Sequence, residues 1–135
     1  MVRILSHITS TGYANQLIGY RVGRIRLIFS LPKRSFHTLF PHIMPPGHLA
    51  YVEWFTAFTA RDPEHGMYTI KKCRDADGAW LASVIEVRQI RRSCHLFPVF
   101  GHIAPCEWSS STVLDECKSF LVNPFSDQHM YMTLV

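Results

Sequence analysis

The chain lacks the short glycine motifs that mark many nucleotide-binding and acyl-transfer enzymes. No G-x-x-x-x-G-K-[ST] loop, no G-x-G-x-x-G turn and no G-x-S-x-G elbow occurs among its 135 residues. Those motifs depend on glycine because glycine lets the backbone turn sharply against a phosphate or beneath a nucleophile. The sequence therefore predicts a protein that is not an enzyme, with no cofactor and no small-molecule substrate.

Charge and long apolar runs are also scarce. Charged residues make up 18% of the chain, which argues against a long solvated helix or an extended charged tail. No segment approaches the roughly 20 apolar residues of a membrane-spanning helix. The N-terminus has no apolar block of signal-peptide length. These absences predict an intracellular protein with no membrane contact and with reduced cysteines.

Apolar and aromatic residues, by contrast, are plentiful. Hydrophobic residues make up 47% of the chain, with nine Phe, five Tyr and three Trp, which is enough for one domain to bury one core. Residues 1–18 have weak periodicity, with Ser, Thr, Gly and Asn scattered among apolar positions. We expect a loosely ordered arm over residues 1–18 and a single domain over residues 19–135.

Short strand patterns fill this predicted domain. In RVGRIRLIFSL, Ile25, Leu27 and Phe29 alternate with arginines, which is typical of a half-buried strand. The run HLAYVEWFTAFT is apolar at nearly every position and predicts a strand covered on both faces.

A hairpin is predicted next, where MYTIKKCR and AWLASVIEV flank the turn sequence DADG. If Arg74 pairs with Ala79, side chains alternate so that one face is apolar and belongs to the core. That face carries Tyr68, Ile70, Leu81 and Ile85, and the opposite face carries Thr69, Lys71, Trp80, Val84 and Glu86.

The other segments complete an all-β fold. PKRSFHTLFPHIMPPGH, rich in proline, predicts a loop whose Phe36, Leu39 and Phe40 contact the core. TVLDEC predicts a short helix capped by Thr112 and Asp115, and FLV and MYMTLV a second hairpin. We expect a small, partly open barrel of about five to seven strands with one short helix. The predicted core is Ile25, Leu27, Phe29, Tyr51, Phe55, Tyr68, Ile70, Ile85, Val87, Phe120, Val122 and Tyr131.

The segment RRSCHLFPVFGHIAPC gathers thiols and imidazoles. Cys94 and His95 are neighbours, so in a strand they point to opposite faces and do not form a catalytic pair. Structural zinc sites usually begin with a close pair such as C-x2-C, whereas these four cysteines are isolated. Inert core thiols are the favoured interpretation, and no metal ligand is assigned. A zinc-stabilised module formed by Cys94, His102 and Cys106 stays an alternative.

Basic residues recur beside the predicted strands, and the formal net charge is +4. In a barrel, arginines of one strand share its outward side, and a surface formed with neighbouring connections is able to neutralise several phosphates. The candidate nucleic-acid-binding residues are Arg24, Arg26, Lys71, Lys72, Arg88, Arg91 and Arg92.

Two further interpretations stay open. The aromatic-rich run Tyr51–Phe58 is suited to a peptide or protein groove at one edge of the barrel. The sequence is also compatible with a relic reading frame that has no selected activity.

Four segments carry a family resemblance: HLAYVEWF, HGMYTIKK, HLFPVFG and WSSSTVLDECKSFLVNPFSDQHMYM. From about Tyr20 onwards the chain resembles the C-terminal region of Plavaka-type and related KDZ-like transposases of mushroom-forming fungi. The resemblance implies that the acidic catalytic core lies upstream of the matching region, so no catalytic residue is carried over. It also implies an SH3-like or BAH-like accessory domain in the nucleus, which binds DNA, chromatin or a protein partner.

Overall fold

Strands dominate the computed structural model, which describes residues 2–6, 20–58, 61–126, 128 and 132. The helices are α1 (Lys33–Leu39) and the single-turn α2 (Val113–Glu116), and two short 3-10 turns span Val87–Gln89 and Pro124–Ser126. The strands are β1 (Val2–Ser6), β2 (Tyr20–Phe29), β3 (Leu49–Trp54), β4 (Tyr68–Lys71), β5 (Ala82–Glu86), β6 (Ile90–Ser93), β7 (His95–Pro98) and β8 (Ser119–Asn123).

The strands form two antiparallel sheets. The first has five strands in the order β5-β3-β2-β1-β6, and the second has three in the order β4-β8-β7. The prediction of a small all-β domain is confirmed, and so is the short helix near residue 113. The described strands lie in two separate sheets and form no closed barrel.

Strand β1 corrects the prediction of a loosely ordered arm over residues 1–18. Val2–Ser6 pairs with β2 on one side and with edge strand β6 on the other, so it is an interior strand of the five-stranded sheet. Its five residues are too few to establish a period-two pattern, and pairing with distant strands supplies the missing order. Residues 1 and 7–18 of the predicted arm lie outside the described residues.

Strand β2 changes register at Arg26. Ile25 lies opposite Val52 and Leu27 lies opposite Tyr51, so one residue is extra in β2. Such a bulge shifts all later side chains to the other face. Leu27 is accordingly 57% exposed, and its prediction as a core residue is wrong.

Strand β3 is buried mainly on one face. Ala50, Val52 and Trp54 are buried, whereas Tyr51 is 40% exposed. The prediction of a strand covered on both sides is therefore wrong, and Tyr51 does not belong to the core. Apolar side chains at nearly every position of β3 disguise the ordinary alternation of a half-buried strand.

The predicted hairpin around DADG forms only at its turn. Arg74 pairs with Trp80 and not with Ala79, and the Asp75 amide donates to the Ala79 carbonyl at 2.9 Å. Gly78, with φ +81°, provides the left-handed backbone of the turn. Beyond the turn the two arms separate, because β4 pairs with β8 and β5 pairs with β3.

The shift by one residue exchanges the predicted faces at this turn. Trp80 packs against the main core, and its indole Nε1 donates to the Trp54 carbonyl at 2.7 Å. Leu81, predicted to lie in the core, is 36% exposed. A slip of one residue is sufficient for this exchange because side chains alternate with period two.

Helix α1 corrects the prediction of a loop after Pro32. The Phe36 amide donates to the Pro32 carbonyl at 3.0 Å, and the helix ends at Leu39. Phe36 is buried as predicted, but Leu39 and Phe40 are exposed. The proline at the start of the helix is compatible with it, since the first helical turn needs no amide donor there.

The second predicted hairpin is represented by its first strand alone. Ser119–Asn123 forms β8 and continues into the 3-10 turn Pro124–Ser126. Of the predicted strand MYMTLV the structure describes only Met132, which has helical backbone. The predicted core residue Tyr131 lies outside the described residues.

Two apolar clusters form the interior. The main one lies between the sheets, where the Phe55 ring meets Trp80 and Phe120 edge-on at 5.6 and 5.7 Å. Its fully buried members are Val22, Phe55, Ile70, Cys117, Phe120 and Val122. A smaller cluster surrounds Ala50, Val52 and Trp54 on the other face of the first sheet, with the partly buried Ile25, Ile85 and Val87 packed against it.

We expect Phe55→Ala to lower the free energy of unfolding by about 3–5 kcal/mol, because the truncation leaves a cavity where both sheets meet. The matched control is Ile103→Ala, since Ile103 is 86% exposed and should change stability by less than about 0.5 kcal/mol. Urea unfolding followed by tryptophan fluorescence measures both. Similar small losses for the two variants would contradict the placement of Phe55.

Candidate binding surfaces

Arg24 lies in a network that connects strand β2 to helix α2. Its two terminal guanidinium nitrogens donate to the Asp115 carboxylate, at 2.5 and 3.1 Å, and its side chain is only 13% exposed. The guanidinium also lies 5.7 Å from the centre of the Trp80 ring. Such a bidentate pair stacked on an indole holds two elements together, and it leaves Arg24 little freedom to contact a partner.

Lys72 joins the same network. Its ammonium donates to the backbone carbonyl of Asp115 and lies 5.3 Å from the centre of the Trp80 ring. Burial is the largest influence on its pKa, which is lowered from the ordinary value. The structure thus brings together Arg24 and Lys72, two predicted site residues, but as partners of Asp115.

Asp115 has a different role from the one its position suggests. The sequence predicts a capping box with Thr112, yet the Thr112 side chain makes no cap bond to the helix. The Thr112 hydroxyl accepts instead from the Ser109 amide at 3.0 Å, while Asp115 binds Arg24. The hydrogen bonds from Arg24 lower the pKa of the Asp115 carboxyl, because they stabilise its ionised form.

The Arg24–Asp115 pair should make stability depend on pH. Because the folded pKa of Asp115 is depressed below 3.8, its contribution is complete above about pH 4 and is lost as pH falls through the folded pKa. We expect Asp115→Asn to lower stability at pH 7 by about 0.5–1 kcal/mol, with a smaller difference from the unmodified protein at pH 3.

Glu116→Gln is the matched control, since Glu116 is an exposed acid on the same helix turn. Urea unfolding at pH 7 and pH 3 measures each variant. An equal loss for the two variants at pH 7, or a loss for Asp115→Asn that does not shrink with falling pH, would contradict the proposed role of the pair.

Two more predicted cations face acidic residues. The Arg26 Nε atom lies 3.8 Å from the Glu53 carboxylate, and the Arg88 Nε atom lies 2.5 Å from that of Glu86. The Glu53 Oε2 atom is buried, and no donor among the described residues lies within hydrogen-bond distance of it. The Arg88 side chain is 81% exposed although it pairs with Glu86. Arg88 also lines a groove of about 560 Å³ beside Pro45 and Pro46.

Arg91 and Arg92 lie on edge strand β6. Through β1, Arg92 is in register with Val22, which places it on the same sheet face as Arg24. Two strand spacings, about 10 Å, separate β6 from β2 across the sheet. Both arginines already interact with groups of the chain itself. Within the predicted patch of Arg24, Arg26, Arg91 and Arg92, Arg24 pairs with Asp115 and Arg26 lies against Glu53.

Lys71 stands apart from these networks, on the outer face of the three-stranded sheet. The inner face of that sheet holds Ile70, Phe120 and Val122, so the alternate residues point outward. Across the strands, Lys71 is in register with Ser119, Thr69 with Leu121, and Leu121 with Phe97. We call this surface the outer face, formed by Thr69, Lys71, His95, Phe97, Ser119, Leu121 and Asn123.

The charge of the outer face has one sign. The strand sequences YTIK, HLFP and SFLVN contain no Asp or Glu, and Lys71 is exposed. Lys118 immediately precedes β8 and is also exposed. The sequence contained this signal as three acid-free strands, but only strand pairing places them side by side.

The cysteines occupy different environments. Cys94 packs against the main core, and burial raises the pKa of its thiol to about 12, while His95 beside it is exposed. Cys117 is buried, with its sulfur 3.0 Å from the Ser119 carbonyl, and Cys106 is exposed. Among residues 2–6, 20–58, 61–126, 128 and 132, no three metal-ligating side chains come together.

Burial should govern thiol reactivity. We expect iodoacetamide at pH 8 to alkylate Cys106 in the folded protein, because it is exposed. Cys94 should react much more slowly than Cys106 until the protein is denatured, since its thiol is partly buried and its raised pKa leaves almost no thiolate. Peptide mass mapping with and without urea measures each rate. Equal rates for Cys94 and Cys106 before denaturation would contradict the burial of Cys94.

The aromatic run Tyr51–Phe58 does not form an open groove. Trp54 is 6% exposed and donates through Nε1 to the Ser83 hydroxyl at 2.7 Å. Phe55 is fully buried, and the Phe58 ring packs on Tyr68. The side chain of Tyr51 alone presents a substantial aromatic surface from this run, so the peptide-groove interpretation loses its anchor residues.

Comparison with protein-family models, curated proteins and solved structures finds no match. No helix in the described part of the chain combines the length and apolar character needed to cross a bilayer.

Proposed function

We propose that this chain is a non-catalytic domain that binds nucleic acid through the outer face of its three-stranded sheet. The observation that supports this function best is the acid-free character of β4, β7 and β8 together with the exposed Lys71. A surface with cations and no carboxylates attracts a polyanion, because each contacted phosphate releases condensed counterions. The net charge of +4 has the matching sign.

The proposal changes the roles of the predicted site residues. Arg24 connects helix α2 to β2, and Lys72 connects it to the chain directly after β4, so both act on binding only through the fold. Lys71 is the predicted residue that is placed to meet a phosphate directly. An accessory domain of this kind in the nucleus, derived from a KDZ-like transposase as the resemblance implies, would position DNA for chemistry performed elsewhere.

A protein partner is a second candidate function, favoured by a different surface. Leu27, Tyr51 and Val84 lie side by side across β2, β3 and β5 and are 57%, 40% and 52% exposed. An exposed apolar row that ends at an edge strand is typical of protein interaction sites. Binding at this row would depend little on salt, whereas binding of nucleic acid falls steeply with salt.

Charge removal on the outer face tests the main proposal. We expect Lys71→Gln to weaken binding of fluorescein-labelled DNA and to reduce the slope of log K against log[NaCl] by about 1, since one phosphate contact is lost. The matched control is Lys33→Gln, because Lys33 is an exposed lysine on helix α1. Fluorescence anisotropy from low to moderate salt measures both, with single-stranded and duplex DNA.

Two results would contradict the proposal. One is the absence of binding to either form of DNA at low salt. The other is an equal loss for Lys71→Gln and Lys33→Gln, which would mean that the attraction arises from net charge alone.

A further inference from the structure

An aromatic pair, His95 and Phe97, lies on the outer face at edge strand β7, whereas Lys71 lies at the other edge, on β4. Phe97 is 39% exposed on edge strand β7, and the His95 ring meets it edge-on with ring centroids 5.0 Å apart. His95 and Phe97 are two residues apart in one strand and therefore project from the same face. The Phe97 ring is held by His95 while part of its surface stays open to solvent.

Across the outer face, the side chains change from apolar at edge strand β7 to cationic at edge strand β4. Leu121, half-buried, lies directly between Phe97 and Thr69 in one cross-strand row. In the adjacent row, Lys71 lies opposite Ser119. Lys71 and Phe97 are thus two strand spacings apart, about 10 Å across the sheet, with an apolar side chain and hydroxyl groups between them.

We infer that the outer face binds single-stranded nucleic acid, with an unpaired base stacked on Phe97 and the backbone near Lys71. This inference rests on the proposed function and specifies its ligand. The exposed part of the Phe97 ring reaches the π-face of a base only when that base has left its stack, so a duplex cannot use it. The absence of carboxylates from the three strands favours the anionic occupant over an acidic or neutral peptide.

The aromatic pair can distinguish a single strand from a duplex, which contacts between cations and phosphates alone cannot do. Lysine contacts with phosphate carry no information about strandedness, because duplex and single strand both present phosphates. Stacking on Phe97 adds a contribution that requires a free base and tolerates any base identity. The expected ligand is therefore a single strand of unspecified sequence.

The test compares two strands that carry the same phosphates. One is a fluorescein-labelled thymidine strand of about 12 nucleotides, and the other is a strand of equal length made of abasic sites. Anisotropy titrations at one low salt concentration use the full chain. We expect the thymidine strand to bind roughly tenfold more tightly than the abasic strand, because stacking of even one base is worth about this factor.

Variants of Phe97 test whether its ring causes the difference in affinity between the thymidine and abasic strands. Phe97→Leu keeps an apolar side chain but removes the aromatic face, and it should bring the two affinities to within about twofold. Phe97→Trp should preserve or increase the preference. Phe100→Ala is the matched control, since Phe100 is also an exposed phenylalanine, 48% by area, but packs on Trp108 outside the sheet. Urea unfolding of each variant reports whether it is folded.

The outcomes separate the inference from the proposed function. Equal affinity of the unmodified protein for thymidine and abasic strands would overturn base stacking and leave nucleic-acid binding intact. A preference that survives in folded Phe97→Leu, or that Phe100→Ala abolishes equally, would overturn the role of Phe97. Binding of neither strand would refute the proposed function itself, and tighter binding of duplex than of single strand would overturn the ligand class.

Discussion

Both sheets depend on the crossing of the chain at Phe55. The Phe55 amide donates to the Val22 carbonyl of β2 at 3.1 Å, and the amide of the next residue, Thr56, donates to the Lys71 carbonyl of β4 at 2.7 Å. The Phe55 ring is fully buried and meets aromatic rings edge-on. Backbone pairing and side-chain packing of the two sheets are therefore coupled at one buried residue, and neither sheet is independent of the other.

The charged residues follow from this arrangement. Once the sheets pack around Phe55, Trp80 lies beside β2 and helix α2, and it offers an aromatic surface to Arg24 and Lys72. Asp115 completes that network and neutralises part of its charge. Breaking a half-buried ion pair so that its cation can bind a partner costs free energy. Arg24 and Lys72 therefore stabilise the fold. The strands of the second sheet contain no acid, and Lys71 is exposed on its outer face.

Two sheet faces of opposite character result. The row Leu27, Tyr51 and Val84 on the first sheet is apolar and ends at edge strand β5. The outer face of the second sheet mixes one aromatic ring with hydroxyl groups and a lysine. The first face suits another apolar surface, whereas the second suits a polyanion with exposed bases. Under the proposed function the outer face binds nucleic acid, and the apolar row is the surface of the second candidate function.

Local patterns in the sequence were sufficient for the class of fold and for part of the core. Alternating or aromatic-rich runs predicted strands where β2, β3, β4, β5 and β8 occur, and the residues Phe55, Ile70, Phe120 and Val122 were correctly predicted to be buried. These features depend on neighbours a few residues away, and a period of two or 3.6 reports them directly. The candidate cations were also visible, but not their partners.

Pairing and register were decided by the tertiary structure. The bulge at Arg26 and the one-residue shift at Arg74 exchanged faces that the alternation alone predicted, which exposed Leu27 and Leu81. Asp115 reached Arg24 across 91 residues of chain, and β4, β8 and β7 met to form the outer face. The sequence by itself determined where most of the longer strands lie and where cations occur. Only long-range contacts determined which strands are neighbours, which cations are neutralised and which aromatic ring faces solvent, because a period-two pattern is the same in every register.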